Sequence, residues 1–164
     1  MKMQNSKIRK TRASALVEAP GALMLLFFFI VFPLLDLLFL GAKYASCYSL
    51  HQILLREAAL IPASRAQDPR GPVKFMIPQQ WSSSGMGAFV DLNGLPFTAV
   101  SYKEGERAAN MVEDQYVLIE NRFSLKPFLT VTFPGFPELP GLNAPLVFTM
   151  QGQRLLENPA EISR

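Results

Sequence analysis

The sequence contains few side chains that could carry out nucleophilic, acid–base or metal chemistry. Its one cysteine, Cys47, and its one histidine, His51, stand four positions apart, a spacing that puts both on one face of a helix. A single cysteine cannot form an internal disulfide, although an intermolecular bridge is conceivable, and His51 has no second histidine with which to share a metal ion. The "SSSGMG" segment at residues 82–87 is not a G-x-S-x-G motif, and the sequence has no phosphate-binding loop. We therefore expect no enzymatic activity, no cofactor and no metal site.

Two carboxylates stand beside or within an apolar segment, where a charged group is unfavourable. Glu18 precedes the segment, and Asp36 is the one charged residue among the 24 residues between Glu18 and Lys43. About 20 apolar residues cross the hydrocarbon core of a bilayer, so a transmembrane helix is predicted over about residues 19–42. An unpaired charge at bilayer depth costs at least about 2.5–3.5 kcal/mol, so charged residues within spans are usually functional.

Basic residues before the apolar segment indicate its orientation in the membrane. Residues 1–13 contain five basic and no acidic side chains, whereas the whole chain has a net charge of only +3. A basic leader places the N-terminus in the cytoplasm and the C-terminal region on the outer side of the membrane. The rest of the chain is mildly acidic, so we expect no nucleic-acid partner. The apolar run is also longer than that of a secretory signal peptide, and no suitable cleavage site follows it.

Helical periodicity continues beyond the apolar segment. Residues recur at steps of three and four along one stripe, which consists of Tyr44, Cys47, Tyr48, His51, Leu54, Leu55, Ala58 and Ala59. We predict one long helix over about residues 14–60, transmembrane over about 19–42 and amphipathic afterwards, that ends before Pro62. Pro33 lacks the N–H group for one helical hydrogen bond, so we expect a bend near it.

The segment after the long helix is predicted to be irregular. Residues 61–86 are rich in Pro, Gly, Ser and Gln, a composition typical of linkers and loops. One short strand is predicted within them, at residues 74–77. Trp81 either lies in a small core or anchors at the lipid headgroups.

The C-terminal residues 87–164 predict a small external domain rich in β-structure. Strand-like runs lie at residues 88–103, 115–133 and 145–156, and Asn93 and Gly94 form a turn in the first run. A rigid loop is predicted around three prolines, Pro134, Pro137 and Pro140. The predicted fold is therefore α+β, with a long N-terminal transmembrane helix that continues as an amphipathic helix and packs against a small antiparallel β-sheet.

The N-terminal residues resemble the leader of a type IV prepilin. A cut between Ala13 and Ser14 would make Glu18 the fifth residue of the mature chain. More closely, "RASALVEAPGALMLLFFFIVFPLLDLLFLGAKY" followed by "HQILLREAAL" resembles the TadE-like minor pseudopilins of tight-adherence (Flp) pilus systems. The C-terminal stretches "FLTVTFPGFPELPGL" and "TMQGQRLLENP" resemble the same family. The family usually has glycine where this chain has Ala13.

The resemblance implies a role for each of these residues. A prepilin-type peptidase would cleave between Ala13 and Ser14, and Glu18 would pair with the terminal amine of a neighbouring subunit and fix its axial register. Pro33 and Asp36 match the proline and the late acid of the family's membrane span. Two other interpretations stay open: Glu18 could lie shallow among the headgroups, and Asp36 could be a solvated charge near the outer end of the span.

The function implied by the resemblance is structural. The protein would be a minor pseudopilin that helps to assemble a tight-adherence type IV pilus or a related secretion filament. Its partners would be other pilins or pseudopilins, the pilus assembly platform, the peptidase and membrane lipid. It would lie in the bacterial inner membrane with its domain on the outer side, or enter the pilus itself. The alternative is a single-pass membrane adaptor or binding protein with an external domain and no filament role.

Overall fold

One helix of 42 residues, Ala19–Leu60, forms the N-terminal part of the fold in the computed structural model, which describes residues 19–104, 115–127, 137–141 and 143–157. This helix, α1, contains a π-helical turn at Phe27–Val31 and continues as a regular α-helix over Phe32–Leu60. It ends where Ile61 becomes extended, because a proline disfavours helical backbone in the residue before it. The prediction of a long helix ending near Leu60 is confirmed, while its predicted start near Ser14 lies outside the described residues.

The π-helical turn lies directly before Pro33 and is the local consequence of that proline. The N–H group of Phe32 donates to the carbonyl of Phe27, five residues earlier. Pro33 has no N–H group with which to continue the normal ladder, and a wider turn just ahead of it lets the helix restart with the proline in its first turn.

Short helices occupy the segment after α1. They are α2 at Ala63–Gln67, a π-helical turn at Pro72–Met76 that runs into α3 at Ile77–Ser82, and α4 at Gly85–Val90. The predicted strand at residues 74–77 is wrong, and residues 61–86 are more helical than the predicted linker and loops. A proline stands in the first turn of both helical pieces of Pro72–Ser82, where a missing N–H group costs little.

Within the described residues, three antiparallel strands form one open sheet. They are β1 at Phe97–Glu104, β2 at Gln115–Leu125 and β3 at Leu146–Leu155, in the order β1-β2-β3. The predicted antiparallel sheet and the α+β class are confirmed, but the first predicted run begins inside α4 rather than as a strand. Gly94 lies in a turn with a φ of 89°, a conformation that glycine adopts without strain.

The core lies between α1 and the sheet. From α1 come Cys47, Leu50, His51, Leu54, Leu55, Ala58 and Ala59, and from β2 come Val117, Ile119, Asn121, Phe123 and Leu125. The predicted stripe is confirmed except at Tyr44 and Tyr48, whose side chains are about half exposed, and it omitted the fully buried Leu50. Tyr44 lies at the edge of the interface, with its ring 5.1 Å from that of Phe148 on β3. Trp81 on α3 is buried in this core, as one of its two interpretations predicted.

Candidate functional site

Two of the predicted functional residues lie within the described structure. Pro33 and Asp36 are both on α1, whereas Ala13, Ser14 and Glu18 lie outside the described residues. The geometry of the candidate site is therefore that of the apolar helix and of the residues at the point where the domain begins to cover it.

The first part of α1, residues 19–35, is called here the apolar shaft. Its large side chains between Leu23 and Ile30 are all exposed, as are Leu34 and Leu35. At 1.5 Å per residue the apolar shaft is about 26 Å long, close to the thickness of a bilayer core. Within the described residues, α1 is the one helix that is both long enough and apolar enough to cross a membrane. Exposed apolar side chains in such number need a partner other than water.

Asp36 marks the end of the apolar shaft, because one face of α1 is covered from this residue onwards. Its side chain is only 5% exposed, so it is not the solvated charge that one of the two interpretations expected. Asp36 lies on the same stripe of α1 as Lys43 and Cys47, at steps of seven and four. The acid within the apolar run is thus enclosed by this chain itself.

Lys43 turns inward rather than into solvent. Its side chain is 4% exposed, and its Nζ donates a hydrogen bond of 3.0 Å to the carbonyl oxygen of Lys126, just after β2. The side chain of Lys126 pairs in turn with Asp91, with 3.2 Å between Nζ and Oδ1. Sequence reasoning treated Lys43 only as the charge that ends the span. Its position on the stripe of Asp36 and Cys47 was the signal that it faces the domain.

His51 is a hydrogen-bonded core residue. Its Nδ1 lies 2.8 Å from Nδ2 of Asn121 on β2, so the amide donates to an unprotonated Nδ1 and Nε2 carries the proton. Burial lowers the pKa of His51, which keeps the ring neutral. In the part of the chain that the structure describes, no cluster of three or more His, Cys, Asp or Glu side chains could hold a metal ion. The geometry gives His51 a packing role.

Cys47 is inaccessible in the folded chain. Its thiol is fully buried one turn before His51. Burial raises the pKa of Cys47 to about 12, and the opposing influence of the nearby Lys43 charge is smaller. The thiolate is the species that forms disulfides, so an intermolecular bridge would require the domain to open.

Comparisons of the chain with protein-family models, with curated proteins and with solved structures found no match. The arrangement that remains for functional reasoning is the chain's own: an exposed apolar shaft, a buried acid at its end, and a small domain on the same helix.

Proposed function

We propose that the protein is a structural subunit, a TadE-like minor pseudopilin that helps to assemble a tight-adherence pilus or a related secretion filament. The observation that carries this proposal is the continuity of α1, which leaves the exposed apolar shaft and enters the domain core without a break in the helix. Such a helix joins a membrane-embedded or filament-embedded half rigidly to an external domain. The basic leader of residues 1–13, followed by Glu18, adds the sequence resemblance described above.

The apolar shaft suits both environments that a pilin-like subunit would occupy. Lipid acyl chains surround it before assembly, and the helices of other pilins replace lipid afterwards. Van der Waals packing drives helix association in both cases, and small residues favour it. Gly21 and Gly41 on α1 have no atoms of other elements near the position of a Cβ, so a neighbouring helix can approach their backbone closely.

Glu18 would set the register of that packing. Cleavage after Ala13 would free the amine of Ser14, and an amine of one subunit would neutralise the carboxylate of another within an apolar surrounding. An unpaired charge there is unfavourable by at least about 2.5–3.5 kcal/mol. In this proposal the protein lies in the bacterial inner membrane, its partners are other pilins and the assembly platform, and its domain faces outward.

The proposal is tested at the N-terminus of the mature protein and at Glu18. Mass spectrometry of protein purified from membranes should show a chain that begins at Ser14. In a strain that lacks the native gene, Glu18→Gln should reduce surface pili, because the amide cannot pair with the amine as a charge. Glu120→Gln is the matched control, since Glu120 is exposed on the outer face of the sheet and should leave piliation intact.

The opposite results favour the adaptor alternative. A mature chain that begins at Met1, together with full piliation by Glu18→Gln, would exclude the pseudopilin role. A single-pass adaptor would then still use α1 as an anchor, and its domain would have a ligand of its own.

A further inference from the structure

Helix α4 presents an apolar surface on the side of the domain nearest to the apolar shaft. Gly87 and Val90 are buried against the rest of the domain, whereas Met86 and Phe89, one turn apart, are exposed. The helix therefore has one side in the core and an apolar pair on its free side. We call Met86 and Phe89 the α4 patch.

The α4 patch lies beside the part of α1 that the sequence assigns to the membrane. The ring of Phe89 is 6.4 Å from the ring of Phe39, and Phe39 falls inside the predicted span of residues 19–42. A second segment reaches the same level, because a Cβ at Gly141 would lie 3.2 Å from Cδ2 of Leu40. Asp36 is buried by the domain, and along the helix axis it lies about 9 Å further into the predicted span than Ala42, the last residue of that span. The domain thus overlaps the outer end of the predicted span.

Charged residues border the α4 patch on one side. Asp91 directly follows α4 and pairs with Lys126, and both side chains are about half exposed. Lys43 donates to the backbone of the same Lys126. Over two residues, from Phe89 to Asp91, the surface changes from apolar to charged. Such a change matches the boundary between acyl chains and headgroups, where apolar side chains are immersed and charged ones reach water.

We propose that the α4 patch is a second membrane contact, seated at the headgroup–acyl boundary of the same bilayer that α1 crosses. This proposal rests on the membrane placement of α1 in the proposed function. The domain then sits in the membrane surface, and Asp36 is shielded from lipid by protein. The competing arrangement ends the bilayer at Leu35, with a span of about 17 residues, the lower limit for a transmembrane helix, and leaves the α4 patch in water.

Three exposed methionines of the unmodified chain test this placement. Met24 in the apolar shaft is 62% exposed, and Met76 and Met86 are each 51% exposed. Met76 ends the π-helical turn after Gly71, and that turn packs against α2, the helix that follows the C-terminal end of α1, so Met76 serves as the water-facing control. The full-length protein is placed in phosphatidylethanolamine–phosphatidylglycerol vesicles and treated with a membrane-impermeant oxidant, and oxidation of each methionine is followed by mass spectrometry.

The proposal expects Met24 to be protected and Met86 to be oxidised several-fold more slowly than Met76. Oxidation of Met86 as fast as Met76, with Met24 still protected, would overturn the second contact and leave α1 as a span. If Met24 were also oxidised as fast as Met76, the membrane placement would fail, and the proposed function would fail with it.

A direct lipid readout separates protection by lipid from protection by protein. A fluorophore is attached to Met86→Cys in a Cys47→Ala background, and Ile30→Cys and Thr149→Cys serve as deep and water-facing references because all three positions are exposed. Lipids that carry a quencher near the headgroup should quench the probe at position 86 most strongly. Lipids that carry the quencher deep in the acyl chain should instead quench the probe at position 30 most strongly. Absence of quenching at position 86, or quenching mainly by the deep lipids, would overturn the proposal.

Discussion

The two halves of α1 belong to one continuous helix but depend on different surroundings. In the apolar shaft, residues 19–35, the large side chains face away from the chain, and their burial requires lipid or another helix. In residues 36–60, which we call the covered half, one stripe is buried against the domain and the opposite face is exposed. The charges follow the same division, because the buried Asp36 and Lys43 both lie where the domain begins to cover the helix.

This difference shows that the same residue type has a different role in each half. A phenylalanine in the apolar shaft is exposed and adds nothing to the domain core, whereas a buried one in the domain contributes to folding. Matched substitutions in the two parts of the molecule should therefore change different measurements.

Phe123→Ala should destabilise the domain by about 3–5 kcal/mol, because it removes a large buried side chain and leaves a cavity. Phe123 is fully buried on β2, and its ring stacks on that of Phe148 at 5.5 Å. Urea unfolding of the protein in micelles, followed by the fluorescence of the one tryptophan, Trp81, measures the change. The control Phe29→Ala, at an exposed site in the apolar shaft, should leave this stability within about 0.5 kcal/mol. An equal loss of unfolding free energy in Phe123→Ala and Phe29→Ala would contradict the division between the apolar shaft and the domain.

Ile30→Arg should weaken membrane insertion of α1 by about 2.5–3.5 kcal/mol, because Ile30 lies near the middle of the predicted span. A glycosylation-based insertion assay reports the inserted fraction. The control Ile53→Arg places the same change at an exposed site of the covered half, and both insertion and domain stability should stay within about 0.5 kcal/mol of wild type. A loss of insertion in Ile53→Arg instead would mean that the span lies further along α1.

Gly152→Ala should destabilise the domain by about 1–3 kcal/mol through overpacking. A Cβ at this position of β3 would lie 2.6 Å from Nε2 of His51 and 3.1 Å from Cδ2 of Leu55, and the hydrogen bond to Asn121 holds the imidazole in place. The control is Gly41→Ala in the helix, where a Cβ meets no atom within 4 Å. It should be neutral or stabilising by up to about 1 kcal/mol. Urea unfolding followed by Trp81 fluorescence measures the stability of both variants. An unchanged stability in Gly152→Ala would show that the helix and the sheet can separate locally.

Lowering the pH should reduce the free energy of unfolding of the domain on the covered half through His51, by at most about 1.4 kcal/mol per pH unit. Burial lowers the pKa of His51 in the folded state, so below about pH 6.5 the unfolded chain binds a proton that the folded chain does not. Stability should therefore fall as the pH decreases from about 6.5 towards the lowered pKa, and should show no contribution from His51 above that range. Unfolding midpoints of wild type and His51→Gln between pH 7.5 and pH 5 test this, and an identical pH dependence in both would contradict it.

Sequence reasoning predicted the elements that have a strong local signal. The long apolar run predicts α1, and β2 and β3 follow from alternating and β-branched residues. It failed at residues 74–77, because a run of four residues does not distinguish a strand from a helical turn. Pro72 and Pro78 here stand in the first turns of helical pieces. It also placed Tyr44 and Tyr48 in the core, because helical spacing identifies which face of a helix is buried but not how far around the helix the buried interface extends.

The roles assigned to the candidate site residues stay predictions. Asp36 and Pro33 were identified by type and position, but the inward turn of Lys43 was missed, because a lysine that follows a span is normally expected to face water. The partner of His51 could not be predicted either, because Asn121 is 70 residues away and its position depends on the register of β2.

The sequence by itself determined that one helix of this protein is apolar enough to span a membrane, because hydrophobicity sums over neighbouring residues and needs no knowledge of the fold. Only the tertiary structure decided where the apolar shaft ends. The burial of Asp36 and Lys43 and the hydrogen bond between His51 and Asn121 arise when α4, the end of β2 and the sheet come together on one face of α1. Those segments are distant in the chain, so their contacts depend on how the whole domain packs.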